Sequence, residues 1–195
     1  MARWEPDAAG RLAESALALF GEQGFERTTV AEIAARAGLT ERTFFRHYAD
    51  KREVLFAGSP MLRDLLVQGV DDAPASTTPM DAVLGALTAA AAAYFDERRD
   101  FARRRQAIVG AHTELQEREL MKMATLAAAL ADALRRRGVD DRPATLAAEA
   151  GIAVFRVAFE RWVADTAVPT LTDAIRDTAS ELRTVAAAPA RARRR

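Results

Sequence analysis

For most of this chain apolar positions recur every three or four residues, the spacing of one face of an α-helix. The clearest run is residues 28–56, TTVAEIAARAGLTERTFFRHYADKREVLF. Thr29 followed by Glu32 is a capping box, so a helix is predicted to start at Val30. Val30, Ile33, Ala34 and Ala37 then share one face, and Gly38 stands where that helix must stop. Only glycine reaches the left-handed conformation cheaply there. Thr40 caps a second helix with Leu39 and Phe44 on its inner side. Asp50 caps a third that opens with Lys51 and Arg52. Two short helices joined by a tight turn make a helix-turn-helix, which places its second helix in the major groove of DNA.

A first helix is predicted over about Asp7–Gln23, with Leu12, Ala16, Leu19 and Phe20 inward, ending at Gly24. Two short helices bury too little surface alone, so this one supports them. A fourth helix, about 51–67, is broken near Ala57 by Gly58-Ser59-Pro60. Residues 68–79, rich in turn formers, read as a linker. Amphipathic helices follow near 80–97, 100–110, 112–137, 143–166 and 171–186. Pro143 marks one start, and Thr170 or Thr172 caps the last helix after Val168-Pro169. The domains expected are therefore 1–56, with the fourth helix as connection, and 80–187. The basic tail 188–195, with four arginines and no acid, is expected to be disordered.

Charge sharpens the reading of the first domain. Between residues 36 and 52, Arg36, Arg42, Arg46, Lys51 and Arg52 oppose only Glu41 and Asp50. A basic face around the second helix is what phosphate contact needs. The formal net charge of the chain is zero, which does not conflict, because only the docking face must be basic.

Residues 11–56 resemble the DNA-binding domain of the TetR family of bacterial transcriptional regulators. The likeness runs through Leu12, Ala16, Leu19, Phe20, Gly24-Phe25, Thr28-Thr29-Val30, Ile33-Ala34 and Ala37-Gly38. It ends with Thr43-Phe44-Phe45, His47-Tyr48, Lys51 and Leu55. Phe45 departs from it, since the family often has tyrosine there. The missing hydroxyl removes a phosphate hydrogen bond and leaves apolar contact with backbone or a thymine methyl. Arg42 replaces a commonly small residue and favours base reading. Thr40, Glu41, Arg42 and Arg46 are the candidates for base edges. Arg42 leads because a guanidinium can hold guanine O6 and N7 together. Thr29, Thr43, Phe45, His47, Tyr48 and Lys51 suit phosphates or helix support.

Half the residues are apolar, alanine and leucine outnumber β-branched types, and an all-α protein is expected. There is no cysteine, hence no disulfide, thiolate zinc site or cysteine nucleophile. No apolar run approaches the ~20 residues of a membrane span. Trp4, Glu5, Pro6 and Asp7 interrupt any signal-peptide core. A soluble, cytoplasmic protein with no membrane partner is expected.

The resemblance implies that the second domain binds a small effector and makes a homodimer. Small and aliphatic residues at helical spacing suit an intermolecular four-helix bundle. The candidates are Ala150, Val154, Val157, Arg161, Leu171, Ile175 and Leu182; the plainer reading is that they close the chain's own core. For the effector, Phe95, Phe101, Ile108, His112, Leu115, Met123, Phe155 and Phe159 offer apolar walls and one polar group. Ordinary core is the competing reading. Arg103-Arg104-Arg105 reads either as a solvated helix face or as a seat for an anionic ligand head. The run Arg118-Glu119-Leu120, the helix after it and Trp162 resemble a branch of the family associated with acyl-CoA-like ligands.

A ligand-responsive repressor, released from a palindromic operator on double-stranded DNA by a small hydrophobic or acyl-type effector, is the function expected. No cofactor, metal or catalytic residue is expected. His47 and His112 lack metal-ligand partners at helical spacing, and no phosphate loop occurs. A transcriptional activator, or a helical partner-binding protein without a specific DNA site, are the alternatives.

Overall fold

In the computed structural model, which describes residues 8–187, the helices arise where the periodicity requires them. The order is α1 (Ala8–Gln23), α2 (Val30–Arg36), α3 (Glu41–His47), a 3-10 turn (Glu53–Phe56), α4 (Ser59–Asp71), α5 (Pro79–Ala90), a π-helical turn (Ala91–Phe95), α6 (Arg99–Gly110), α7 (Thr113–Arg136), α8 (Asp141–Ala164) and α9 (Leu171–Ala187). The described residues divide into two compact units. The first takes 8–61 and 100–122, the second 62–99 and 123–187. The tail 188–195 lies outside the described residues.

In the first unit α1 supplies Leu12, Ala16, Leu17 and Phe20 to a core shared with Ile33, Ala34, Phe44 and Val54. Gly38, at φ +67°, makes the turn between α2 and α3, where any side chain would be strained. The expected fourth helix is shorter and later. Asp50 Oδ1 accepts from the amides of Arg52 (2.8 Å) and Glu53 (3.0 Å), and a single 3-10 turn follows. Gly58-Ser59-Pro60 then restarts the chain as α4, which runs on through Asp71. Residues 68–71, expected in the linker, are therefore helical.

In the second unit α5, α8 and α9 pack on one another, and the latter half of α7 adds Leu126, Leu130 and Leu134. Gly151 permits the closest approach, since a Cβ there would meet Val83 Cγ1 at 2.3 Å. Past the α4 terminus the chain is tied down. The Arg137 guanidinium donates to the carbonyls of Val70 (3.1 Å), Asp71 (3.3 Å), Ala73 and Pro74 (2.8 Å). Asp96, just beyond the π turn, accepts from the amides of Leu171 (2.8 Å) and Thr172 (3.3 Å) and from the Thr172 hydroxyl (2.8 Å). Thr170 adds the side-chain cap, accepting from the Asp173 amide at 3.0 Å. The start of α9 is thus held from within its own turn and from 75 residues away.

Candidate nucleic-acid interface

Local side chains build the α2–turn–α3 unit. Thr29 Oγ1 accepts from the Glu32 amide (3.2 Å), and Glu32 accepts from the Thr29 amide (2.8 Å), completing the capping box. The Thr29 backbone bond, then the hydroxyls and amide of Thr29 and Gln23, hold the Glu32 carboxyl below its ordinary range. Thr40 Oγ1 accepts from the Thr43 amide at 3.2 Å and starts α3. Phe44 is fully buried, as its inner-face position requires.

The basic residues sort into two groups. Arg36 pairs with Glu22 through both guanidinium nitrogens (2.5 and 2.6 Å), which lowers the Glu22 carboxyl. Arg52 pairs with Asp50 (3.0 Å) and lies 3.6 Å from Glu114. Lys51 Nζ donates to the carbonyls of Phe25 (2.7 Å), Glu26 (3.0 Å) and Thr28 (3.1 Å) and sits 4.6 Å over the Phe25 ring. An ammonium has three donors, and all three are engaged. Lys51 therefore braces the α1–α2 loop, the support half of its two expected roles. Tyr48 joins it: the ring is buried and the hydroxyl donates to Ala9 O at 3.0 Å.

Arg42 and Arg46, by contrast, are exposed on α3 and have no hydrogen bond or ion pair among the described residues. Four residues apart on a helix, they share one face. Glu41, Phe45 and His47 are exposed beside them. Thr40 and Thr43 join hydroxyls at 3.1 Å at the head of the same helix. Of the ten residues expected at DNA, seven thus lie on or at the start of α3 with exposed or half-exposed side chains. Thr29, Tyr48 and Lys51 hold the scaffold.

The residues expected around an effector fall in both units. Ile108 and Leu115 are buried in the core of the first unit, with Phe101 packed against it. His112 stacks 5.1 Å from Phe25, and its Nδ1 lies 2.9 Å from Ile108 O. With Phe20, Gln23, Arg27 and Ile108 it lines an open groove of about 360 Å³. Ile108 and Leu115 are thus packed into the core of the unit that holds α2 and α3, with Ile108 also at the groove. Phe95, Phe155 and Phe159 do meet, with ring centroids 5.8–5.9 Å apart, in the second unit. Trp162 extends the cluster at 5.8 Å from Phe159. Its indole Nε1 is buried with no hydrogen-bond partner. Met123 is half-buried in the same unit.

Of the arginine run, Arg103 and Arg104 are exposed, as a solvated helix face requires, and Arg105 is engaged within the unit. Arg105 Nε donates to Leu55 O (2.6 Å), its terminal nitrogens pair with Glu119 (2.5 and 3.2 Å), and its guanidinium lies 5.1 Å from the Phe56 ring. Arg104 pairs with Glu14 at 3.0 Å. Arg118 also lies over the Phe56 ring, at 5.7 Å, and pairs with Glu53. Nothing local in the sequence points to this clamp, because its partners lie 14 to 65 positions apart in sequence.

Among the interface candidates, Val154, Leu171 and Ile175 are buried in the chain's own core. For these three the plainer reading holds, since a buried side chain has no face left for a partner. Ala150 and Leu182 are half-buried, and Val157 is 48% exposed. Arg161 pairs with Glu181 of α9 at 3.2 Å. Leu146, 70% exposed, adds an apolar residue that the sequence reading missed; it precedes Ala150 by one helical turn.

Comparisons with known proteins agree with this geometry. Residues 12–57 match the family described as bacterial regulatory proteins, tetR family, and residues 77–187 match the family described as MftR C-terminal domain. The HTH-type transcriptional regulator TcmR of Streptomyces glaucescens is 38% identical over 79 residues, 40% of this chain and 35% of that protein. The match thus spans about a third of the length of that relative. Two solved structures share the fold. One is a TetR-family transcriptional regulator from Syntrophomonas wolfei, with TM-score 0.66 at 15% identity over 94% of this chain and 97% of that one. The other is FadR from Bacillus subtilis in complex with stearoyl-CoA, with TM-score 0.61 at 15% identity over 89% and 96%.

Proposed function

We propose that this chain, which belongs to the TetR family of DNA-binding transcriptional regulators, is a ligand-responsive repressor acting as a homodimer on a palindromic operator. The observation that carries the reading is the pair Arg42 and Arg46. Both are exposed on one face of a capped helix and have no partner among the described residues. An unpartnered guanidinium on a helix that fits the major groove is matched by guanine O6 and N7 or by phosphate oxygens.

Two copies are needed because one α3 covers only one half-site, and two-fold symmetry doubles the contact. The face we assign to dimerisation is the outer stripe of α8, Leu146, Ala150, Ala153 and Val157, with Leu182 and Val185 of α9. The exposed apolar side chains of Leu146, Val157 and Val185 support it. The effector is assigned to the walls of Phe95, Phe155, Phe159 and Trp162, where the Trp162 N–H offers an acceptor group one donor. A hydrophobic or acyl-type molecule suits such walls, and the B. subtilis relative of the same fold holds stearoyl-CoA. Its binding shifts the population toward a spacing of the two α3 helices that no longer fits the operator.

The test is selection of bound duplexes from a random library at about 150 mM salt, where phosphate contact alone is weak. Anisotropy on the enriched site follows, with titration of stearoyl-CoA. A palindromic site bound by two subunits and released by the acyl-CoA is the expected result. Equal, weak binding to all duplexes would refute the DNA reading. Tight binding that stearoyl-CoA leaves untouched would refute the acyl assignment alone.

A further inference from the structure

Phe45 is the exposed large apolar side chain of α2 and α3, with 55% of its surface open. Its neighbour Phe44 is fully buried and meets it edge to face, with centroids 5.5 Å apart and an interplanar angle of 82°. The Phe45 ring is therefore backed by the core on one side and bare on the other. It has no donor or acceptor, so it cannot hydrogen-bond a phosphate or the polar edge of a base. Arg42, three positions before, shares its face of the helix, and Arg46, one position after, is turned about 100° from it. A bare ring on the face it shares with Arg42 lies beside whatever that guanidinium contacts.

Resting on the DNA-binding reading above, we propose that Phe45 determines specificity by packing on the C5-methyl group of a thymine in each half-site. That methyl is the apolar feature of the major groove, and it separates thymine from cytosine where a hydrogen-bonding residue would read the amino group instead. The helix also sets the position. Three residues advance about 4.5 Å along an α-helix, against about 3.4 Å between base pairs. The thymine therefore lies one or two base pairs from the guanine held by Arg42.

The experiment uses the full-length protein on the enriched duplex and on duplexes in which each thymine of the half-sites is replaced singly by deoxyuridine. That change removes the methyl group and keeps every hydrogen-bonding edge. At one thymine the parent protein loses about fourfold in affinity per half-site, the partition worth of one buried methyl. Phe45→Ala binds the thymine and deoxyuridine duplexes alike, and Phe45→Tyr, which keeps the ring, retains the parent's sensitivity. Circular dichroism confirms that the variants fold, as expected for an exposed side chain. A parent protein indifferent to deoxyuridine at every position would overturn the proposal. So would a Phe45→Ala variant as sensitive as the parent, or one that weakens all duplexes equally, which is the signature of contact with the sugar–phosphate backbone. Failure of the selection to enrich any sequence would instead overturn the reading on which the proposal rests.

Discussion

Helix α3 and the turn that follows it carry two basic residues each and use them in opposite ways. Lys51 and Arg52 are held by three carbonyls and by Asp50. Arg42 and Arg46 are held by nothing among the described residues. A count of charges along the sequence treats the four alike. The difference teaches that an interface is marked by donors left over after folding, not by basic residues as such. A donor already bonded to a carbonyl gains little from a phosphate, because one hydrogen bond is exchanged for another.

The largest effect that would break this comparison is at Lys51. Lys51→Met should cost about 2–3 kcal/mol of folding stability, as expected for loss of charge-assisted bonds to carbonyls left half-buried. It should leave the salt dependence of DNA binding by the folded protein unchanged. Urea unfolding and anisotropy across a salt series measure both. A variant of full stability with a shallower salt slope would return Lys51 to the phosphate group. Arg42→Ala should do the reverse, losing about 1–3 kcal/mol against the operator while keeping its nonspecific affinity and its unfolding midpoint. The smallest effect concerns the capping box. Glu32 is held below its ordinary pKa, so it contributes stability above the usual carboxylate range, lost as pH falls through its lowered value. Thermal unfolding below pH 5 should fall more steeply for the parent than for Glu32→Gln. Identical acid profiles would mean that the cap adds no pH-dependent stability.

How much of this was legible depended on how far apart the partners lie. The capping box, Gly38 and the buried Phe44 follow from residues within a few positions of one another, so the helix-turn-helix could be read directly. The break after Phe56 was legible from Gly58 and Pro60 for the same reason. Lys51 was ambiguous because its carbonyl partners lie 23 to 26 positions back. Ile108 and Leu115 were ambiguous between core and pocket wall because periodicity says that a face is buried, not against what. Val154, Leu171 and Ile175 fall under the same limit: a stripe of aliphatic residues serves a core or an interface equally well. Asp96 gave no signal at all, since the amides it caps lie 75 and 76 positions on.

Arg137 bears on how this protein survives in the presence of a protease. The stretch after α4 has the proline, serine and threonine content of an easily nicked joint, and cleavage requires such a stretch to detach and thread extended through the enzyme. One guanidinium binds the last two carbonyls of α4, Val70 and Asp71, and two at the near end of the stretch, Ala73 and Pro74. Detachment there means surrendering the bonds to Ala73 and Pro74 together. A fusion partner or affinity tag inserted at Ala73 or Pro74 would release the same fastening, so the joint that looks most permissive in the sequence is a poor place to open the chain.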